Sequence, residues 1–123
     1  MNPLGILLIS GGHERAHYAL MLATAAAALG RPVTLFATNG GCRLLLKAAP
    51  LERDPREAAL AHAGVATIAT LIEAARALDL RCIACDAGLR AEGLEAEPLA
   101  KGVEVAGIVT FLGAVGTGQV ISL

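Results

Sequence analysis

Three short runs of this chain are apolar almost without interruption, and each stops at a break that leads into a helix-forming stretch. Leu4 to Ser10 ends at Gly11-Gly12, Pro32 to Thr38 at Asn39-Gly40-Gly41, and Leu80 to Ala84 at Cys85-Asp86. Runs of this length that do not alternate suit strands buried on both faces, the condition of a parallel sheet covered by helices. Between them, Glu14 to Leu29 opens with an acid and stops at Gly30, so it reads as a helix. Thr67 to Leu78 spaces Ala69, Leu71, Ile72, Ala75 and Leu78 for one apolar helical face. Shorter helical pieces are expected over Cys42 to Ala48 and Pro98 to Lys101, and Ala106 to Val115 reads as the last helix. Val103 to Val105 and Gly118 to Leu123 complete the strands. This alternation predicts an α/β fold, a doubly wound parallel sheet of about five strands with helices on both faces. The 123 residues, 1–123, are expected to form one domain with room for a full core.

Charge and composition remove several function classes. The net charge is -1, and the ten basic residues form no run, so nothing in the sequence suggests a nucleic-acid partner. One Tyr, two Phe and no Trp provide no stacking platform for bases. Mean hydropathy is high at +0.62. Even so, the Ala16 to Leu29 stretch is too short for a membrane span and is interrupted by His17 and Thr24. The start, Met1-Asn2-Pro3-Leu4, lacks a basic segment and a small-residue cleavage pattern, so a cytoplasmic location is expected. The Glu14 to Leu29 helix is apolar nearly all round, which predicts burial within the domain or against another subunit, hence an oligomer. Ala49 to Gly64, with Pro50, Pro55 and a cluster of charges, reads as a solvated loop with a helical insert over Arg56 to Ala63.

In a doubly wound sheet the site lies at the carboxyl ends of the strands. Three loops meet that description, Ser10 to His13, Thr38 to Cys42 and Ala84 to Asp86, and they should share one rim. Its expected anion-binding residues are Gly11, Gly12, Asn39, Gly40, Gly41 and Asp86, on loops that run into helix starts suited to a persulfide, thiosulfate or phosphate. Cys85 sits where strand becomes helix, and the helix dipole there favours the negative charge of a nucleophilic thiolate. Cys85 is therefore the candidate nucleophile, with Cys82, His13 and Cys42 as possible auxiliaries and Arg90 placed to pair with Asp86 across one turn. The bland reading of Cys85 is a small buried hydrophobe. Cys82-Ile83-Ala84-Cys85 is formally a CxxC, but strand side chains alternate, so the two sulfurs should face opposite sides. Only one cysteine pair is present, Cys42 with His13 or His17 being a remote means of completing a zinc site, so no metal is expected. His17 reads as a packed helix residue and His62 as loop surface. The Gly-Gly turns carry neither GxGxxG nor a P-loop lysine, so no nucleotide is expected either.

Several residues together resemble one family. Cys85 followed by Gly93-Leu94, the Ala-rich first helix ending at Gly30, the stretch Val33 to Gly41 and Gly102-Val103-Glu104-Val105-Ala106-Gly107 are similar to the DsrE/DsrF-like family of small sulfur-relay proteins. The likeness runs over nearly the whole chain. It implies a cytoplasmic α/β protein assembled as a homo- or hetero-oligomer; no cofactor is expected. One cysteine, matched here by Cys85, accepts sulfane sulfur as a persulfide and passes it to a partner thiol. Cys82 matches a second cysteine found in some members. The implied partners are sulfur donor and acceptor proteins or small sulfane-sulfur compounds. The contrasting expectation is a non-catalytic oligomeric module that binds a small ligand on the rim and uses its cysteines only for packing.

Overall fold

In the computed structural model, which describes Met1–Leu123, the apolar runs become β1 (Leu4–Leu8), β2 (Val33–Ala37) and β3 (Arg81–Cys85). The remaining strands are β4 (Glu104–Ala106) and β5 (Gln119–Ser122). All pairings are parallel, in the order β4-β3-β2-β1-β5. The chain therefore steps outward from β1 to β4 and crosses back to lay β5 on the free side of β1. The helices are α1 (His13–Ala28), α2 (Pro55–His62), α3 (Ile68–Ala77), α4 (Asp86–Ala91) and α5 (Ile108–Val115). This is the expected doubly wound parallel α/β fold.

Alternation along the strands sorts side chains into two cores. Leu4, Ile6, Leu8 and Leu35 lie under α1 and α3, against Ala16, Leu20 and Ile68. On the other face Phe36, Ile83 and Cys85 lie under Phe111 and Val115 of α5. Phe36 and Phe111 stack with ring centroids 4.9 Å apart. Ala16, Ala19, Ala23 and Ala26 of α1 are all buried. With no bulk beyond Cβ they let a 16-residue helix lie close between sheet and α3. The all-round apolar character of α1 is thus largely absorbed inside the chain. Exposed apolar surface concentrates instead on α5, at Ile108, Val109 and Leu112. No helix is long and apolar enough to cross a membrane.

Four expectations need correction. Pro98 to Lys101 is not a helical turn. Lys47 N–H donates to Pro98 O and Ala100 N–H to Leu45 O, each at 2.9 Å, drawing the segment into an antiparallel bridge between Leu46 and Leu99. The helix expected over Cys42 to Ala48 is a 3-10 helix that starts earlier, at Asn39–Leu45. Gly41 N–H donates to both Thr38 O and Ile9 O at 2.9 Å, so the turn begins directly off β2. The last helix begins at Ile108, because β4 runs on to Ala106 and pairs with Cys85. The charged segment holds a 3-10 turn, Pro50–Arg53, as well as α2, and it is not wholly solvated, since Glu57 turns inward.

Candidate functional site

Because β1, β2 and β3 are adjacent and parallel, the loops leaving their carboxyl ends lie side by side. They touch. A Cβ on Gly11 would stand 3.0 Å from the Gly40 carbonyl oxygen, and one on Gly88 would collide with the Thr38 hydroxyl and the Asn39 amide. The loops after β1 and β2 are joined by Gly41 N–H to Ile9 O at 2.9 Å, and Gly88, just past the third loop, lies close against Thr38 and Asn39, so the three share one rim.

Cys85 is the last residue of β3 and the N-cap of α4, with φ -68° and ψ 122°. Its Sγ accepts the Gly88 N–H at 3.4 Å, as a serine or aspartate oxygen would at a helix start. The side chain packs against Phe36, Ile83 and Phe111 and is 7% exposed. None of the surface cavities is lined by Cys85. Asp86 is exposed and pairs with Arg90 one turn on, as the spacing predicted.

The rim donors differ in availability. Gly12 N–H is taken by Ser10 Oγ at 3.1 Å, Gly41 N–H by carbonyls and Gly88 N–H by Cys85. The start of α1 stays open, because Gly12 has no side chain to cap it. Gly12 and Asn39 are exposed, Asn39 in the left-handed region at φ +50°, while Gly41 is buried. Arg43 stands beside Gly40 and is held by Glu92 at 2.7 Å.

The auxiliary candidates separate. Cys82 lies on the α1/α3 face and Cys85 on the α5 face, so the formal CxxC is split by the sheet as expected. Burial first, and then the Glu104 carboxylate, push the Cys82 thiol up to about 11. Cys42 is wholly buried below the rim, and its Sγ donates to Ala37 O at 3.5 Å. Burial, with added repulsion from Cys85 and Glu92, raises that thiol to about 11, against a lowering by the Cys85 backbone N–H and Arg43. His13 is buried, and its Nε2 lies 2.7 Å from Glu57 Oε1. His17 packs as predicted, with Nε2 2.9 Å from Ala66 O. His62 is exposed, at the end of α2. Cys42, His13 and His17 thus face three different partners.

Two residues of this arrangement escaped the sequence reading. Gly88 is the donor to Cys85 and the seat of Thr38 and Asn39, and its only signal was a glycine inside a short helix. Glu57 accepts Ile68 N–H at 2.8 Å and Ala69 N–H at 3.2 Å, so it caps α3 while holding His13. Its position three residues after Asp54 resembles a capping box for its own helix, which concealed the longer reach.

The DsrE/DsrF-like family model matches residues 4–123. The chain belongs to the DsrE/DsrF-like family. Sulfur relay is the general function of DsrE/DsrF-like proteins. Among solved structures, the ychN protein from E. coli is similar at 19% identity with a TM-score of 0.76, over 100% of both chains. MTH1491 from Methanobacterium thermoautotrophicum, described as a protein of unknown function, is similar at 17% identity and TM-score 0.64, again over 100% of both. At these identities the likeness is one of fold. No curated protein matches the chain in sequence.

Proposed function

We propose that this DsrE/DsrF-like protein relays sulfur through Cys85. The observation that carries the reading is the placement of the Cys85 sulfur at the carboxyl end of β3, on the shared rim, held by the Gly88 N–H at 3.4 Å. The Cys85 thiolate attacks the outer sulfur of a sulfane donor. A sulfur–sulfur bond forms to Cys85 as the donor's own bond breaks, and the donor remainder leaves with the electron pair, as sulfite from thiosulfate or a thiolate from a persulfide. A partner thiolate then attacks the outer sulfur, and Cys85 leaves as thiolate. The open start of α1 favours the anionic donor. The donors and acceptors are proteins or small sulfane compounds met in the cytoplasm, and the chain works as an oligomer.

A second reading rests on one observation, the 7% exposure of Cys85. It makes the chain a non-catalytic oligomeric module whose rim holds a small anion while its cysteines pack. Intact-protein mass spectrometry after incubation with thiosulfate or polysulfide separates the two. Relay predicts a reducible sulfur adduct on the native chain and on Cys82→Ser, lost in Cys85→Ser. No adduct on any of the three, with Cys85 inert to alkylation at neutral pH, overturns the relay and shifts the reading to the binding module.

A further inference from the structure

Thr38 stands beside Cys85 on the rim, and the relay as described gives it no task. β2 and β3 are in register at Phe36 and Ile83 and again at Ala37 and Ala84. Thr38, at φ -134° and ψ 159°, is still extended, as is Cys85. The register therefore carries on by one residue and sets the two opposite each other, about 4.8 Å apart on neighbouring strands. Side chains alternate along a strand, so Thr38 falls on the face of Phe36 and Cys85 on the face of Ile83, and these are the same face. The hydroxyl is turned toward α4: a Cβ on Gly88, the residue whose N–H the Cys85 sulfur accepts, would collide with Thr38 Oγ1.

That hydroxyl is uncommitted. Thr38 precedes the 3-10 helix Asn39–Leu45, yet its side chain caps no N–H there, as a threonine at a helix start usually does. Its hydrogen bond runs to Asn39 Oδ1 at 3.4 Å, beyond the range of about 2.5–3.0 Å usual between a hydroxyl and an oxygen. The inner side of Cys85 is closed by Phe36 and Ile83, both fully buried, whereas Thr38 is half-buried. A sulfur added to Cys85 must lie outward, on the side where Thr38 stands.

We propose that Thr38 is a further catalytic residue of the relay: its hydroxyl donates a hydrogen bond to the outer sulfur of the Cys85 persulfide. When the Cys85 thiolate attacks thiosulfate, the new sulfur–sulfur bond leaves one negative charge on the outer sulfur, and sulfite departs with the electron pair of the broken bond. Gly88 N–H holds the inner sulfur. Thr38 O–H holds the outer one, sharing its hydrogen without giving it up, and a bond of this kind to a charged atom is stronger than one to a neutral atom.

This role rests on the relay reading, and the test separates the two. The native chain, Thr38→Val and Thr38→Ser are compared by the rate of sulfur loading from thiosulfate, read as a reducible adduct by intact-protein mass spectrometry. They are also compared by the rate at which N-ethylmaleimide alkylates unloaded Cys85, read at peptide level. Valine keeps the branched shape and removes the hydroxyl, while serine keeps the hydroxyl. The expected result is a fall of about tenfold or more in loading for Thr38→Val, the scale of a hydrogen bond to a charged atom, with loading in Thr38→Ser and alkylation in both variants within about twofold of native. Alkylation puts no charged sulfur opposite Thr38, so a merely structural role would slow it together with loading. Native loading in Thr38→Val, equal impairment in Thr38→Ser, or a parallel fall in alkylation overturns the proposal. If urea unfolding shows that Thr38→Val does not fold, Thr38→Ala takes its place under the same criteria. A native chain that takes up no sulfur overturns the relay and this role with it, whereas native loading that Thr38→Val matches overturns this role alone.

Discussion

Gly88 holds the Cys85 sulfur from the third residue of α4, where an alanine would ordinarily be welcome. In an open helix interior, Gly→Ala stabilises by about 1 kcal/mol through backbone entropy. At Gly88 the added Cβ would run into the Thr38 hydroxyl and the Asn39 amide, and overpacking of that kind costs about 1–3 kcal/mol. The steric loss exceeds the entropic gain, so Gly88→Ala is expected to lower the urea midpoint. Gly113 in α5 is the matched control, since nothing lies within 4 Å of a Cβ built there. Gly113→Ala should raise the midpoint. Gly88→Ala should also slow alkylation of Cys85, because the colliding backbone carries the N–H that its sulfur accepts. Equal midpoint shifts of one sign for both variants would show that the close approach at Gly88 is not a constraint.

Among the elements, α1, α2 and α3 are tied together by one carboxylate, Glu57. Burial alone would raise Glu57, but the hydrogen bond from His13 and those from Ile68 and Ala69 N–H outweigh it and hold the carboxyl below its ordinary 4.5. A carboxylate with a depressed folded value stabilises fully above its unfolded value, and the contribution is lost as pH falls through the folded one. Glu57→Gln should therefore destabilise by about 1–3 kcal/mol at neutral pH, the range for hydrogen bonds to a charged group. The gap between variant and native chain should close as pH drops below 4.5, which denaturant curves across pH would read. A gap that stays constant with pH would mean that shape, not charge, matters at this position. This junction also marks the limit of what was legible in the sequence. The strands showed themselves by apolar runs, and the switch at Cys85-Asp86 by the change from run to helix formers, because both signals are local. The inward turn of Glu57, the bridge between Leu46 and Leu99 and the seat of Gly88 under Thr38 are pairings between distant segments. No local pattern encodes them. The rim lay between these cases: its loops were legible once the sheet was taken as parallel, whereas which donors are open depends on contacts that only the fold creates.

At the scale of the molecule, the decisive imbalance is between the two faces of the sheet. Two long helices cover one face, while the other has only the eight residues of α5. That helix contains no charged residue, and its outer surface presents Val109 at 80% exposure with Leu112 and Ile108 beside it. An uncharged, exposed apolar helix is the kind of surface that proteins cover by association. The oligomer expected from the composition of α1 is thus better placed on α5, since α1 buries most of its own apolar surface. Val109→Glu sets a charge at the centre of the patch without touching Phe111 or Val115, which face inward. Light scattering should find the native chain as an oligomer and Val109→Glu shifted toward monomer, with the monomer still folded by circular dichroism. Sulfur loading of that monomer then asks where the rim is completed. Undiminished loading on Cys85 would place the whole site within one chain, as the backbone contacts among its three loops imply. Loss of loading in a folded monomer would mean that association through α5, whose Phe111 lies against Cys85, sets the access of sulfur donors to the thiol.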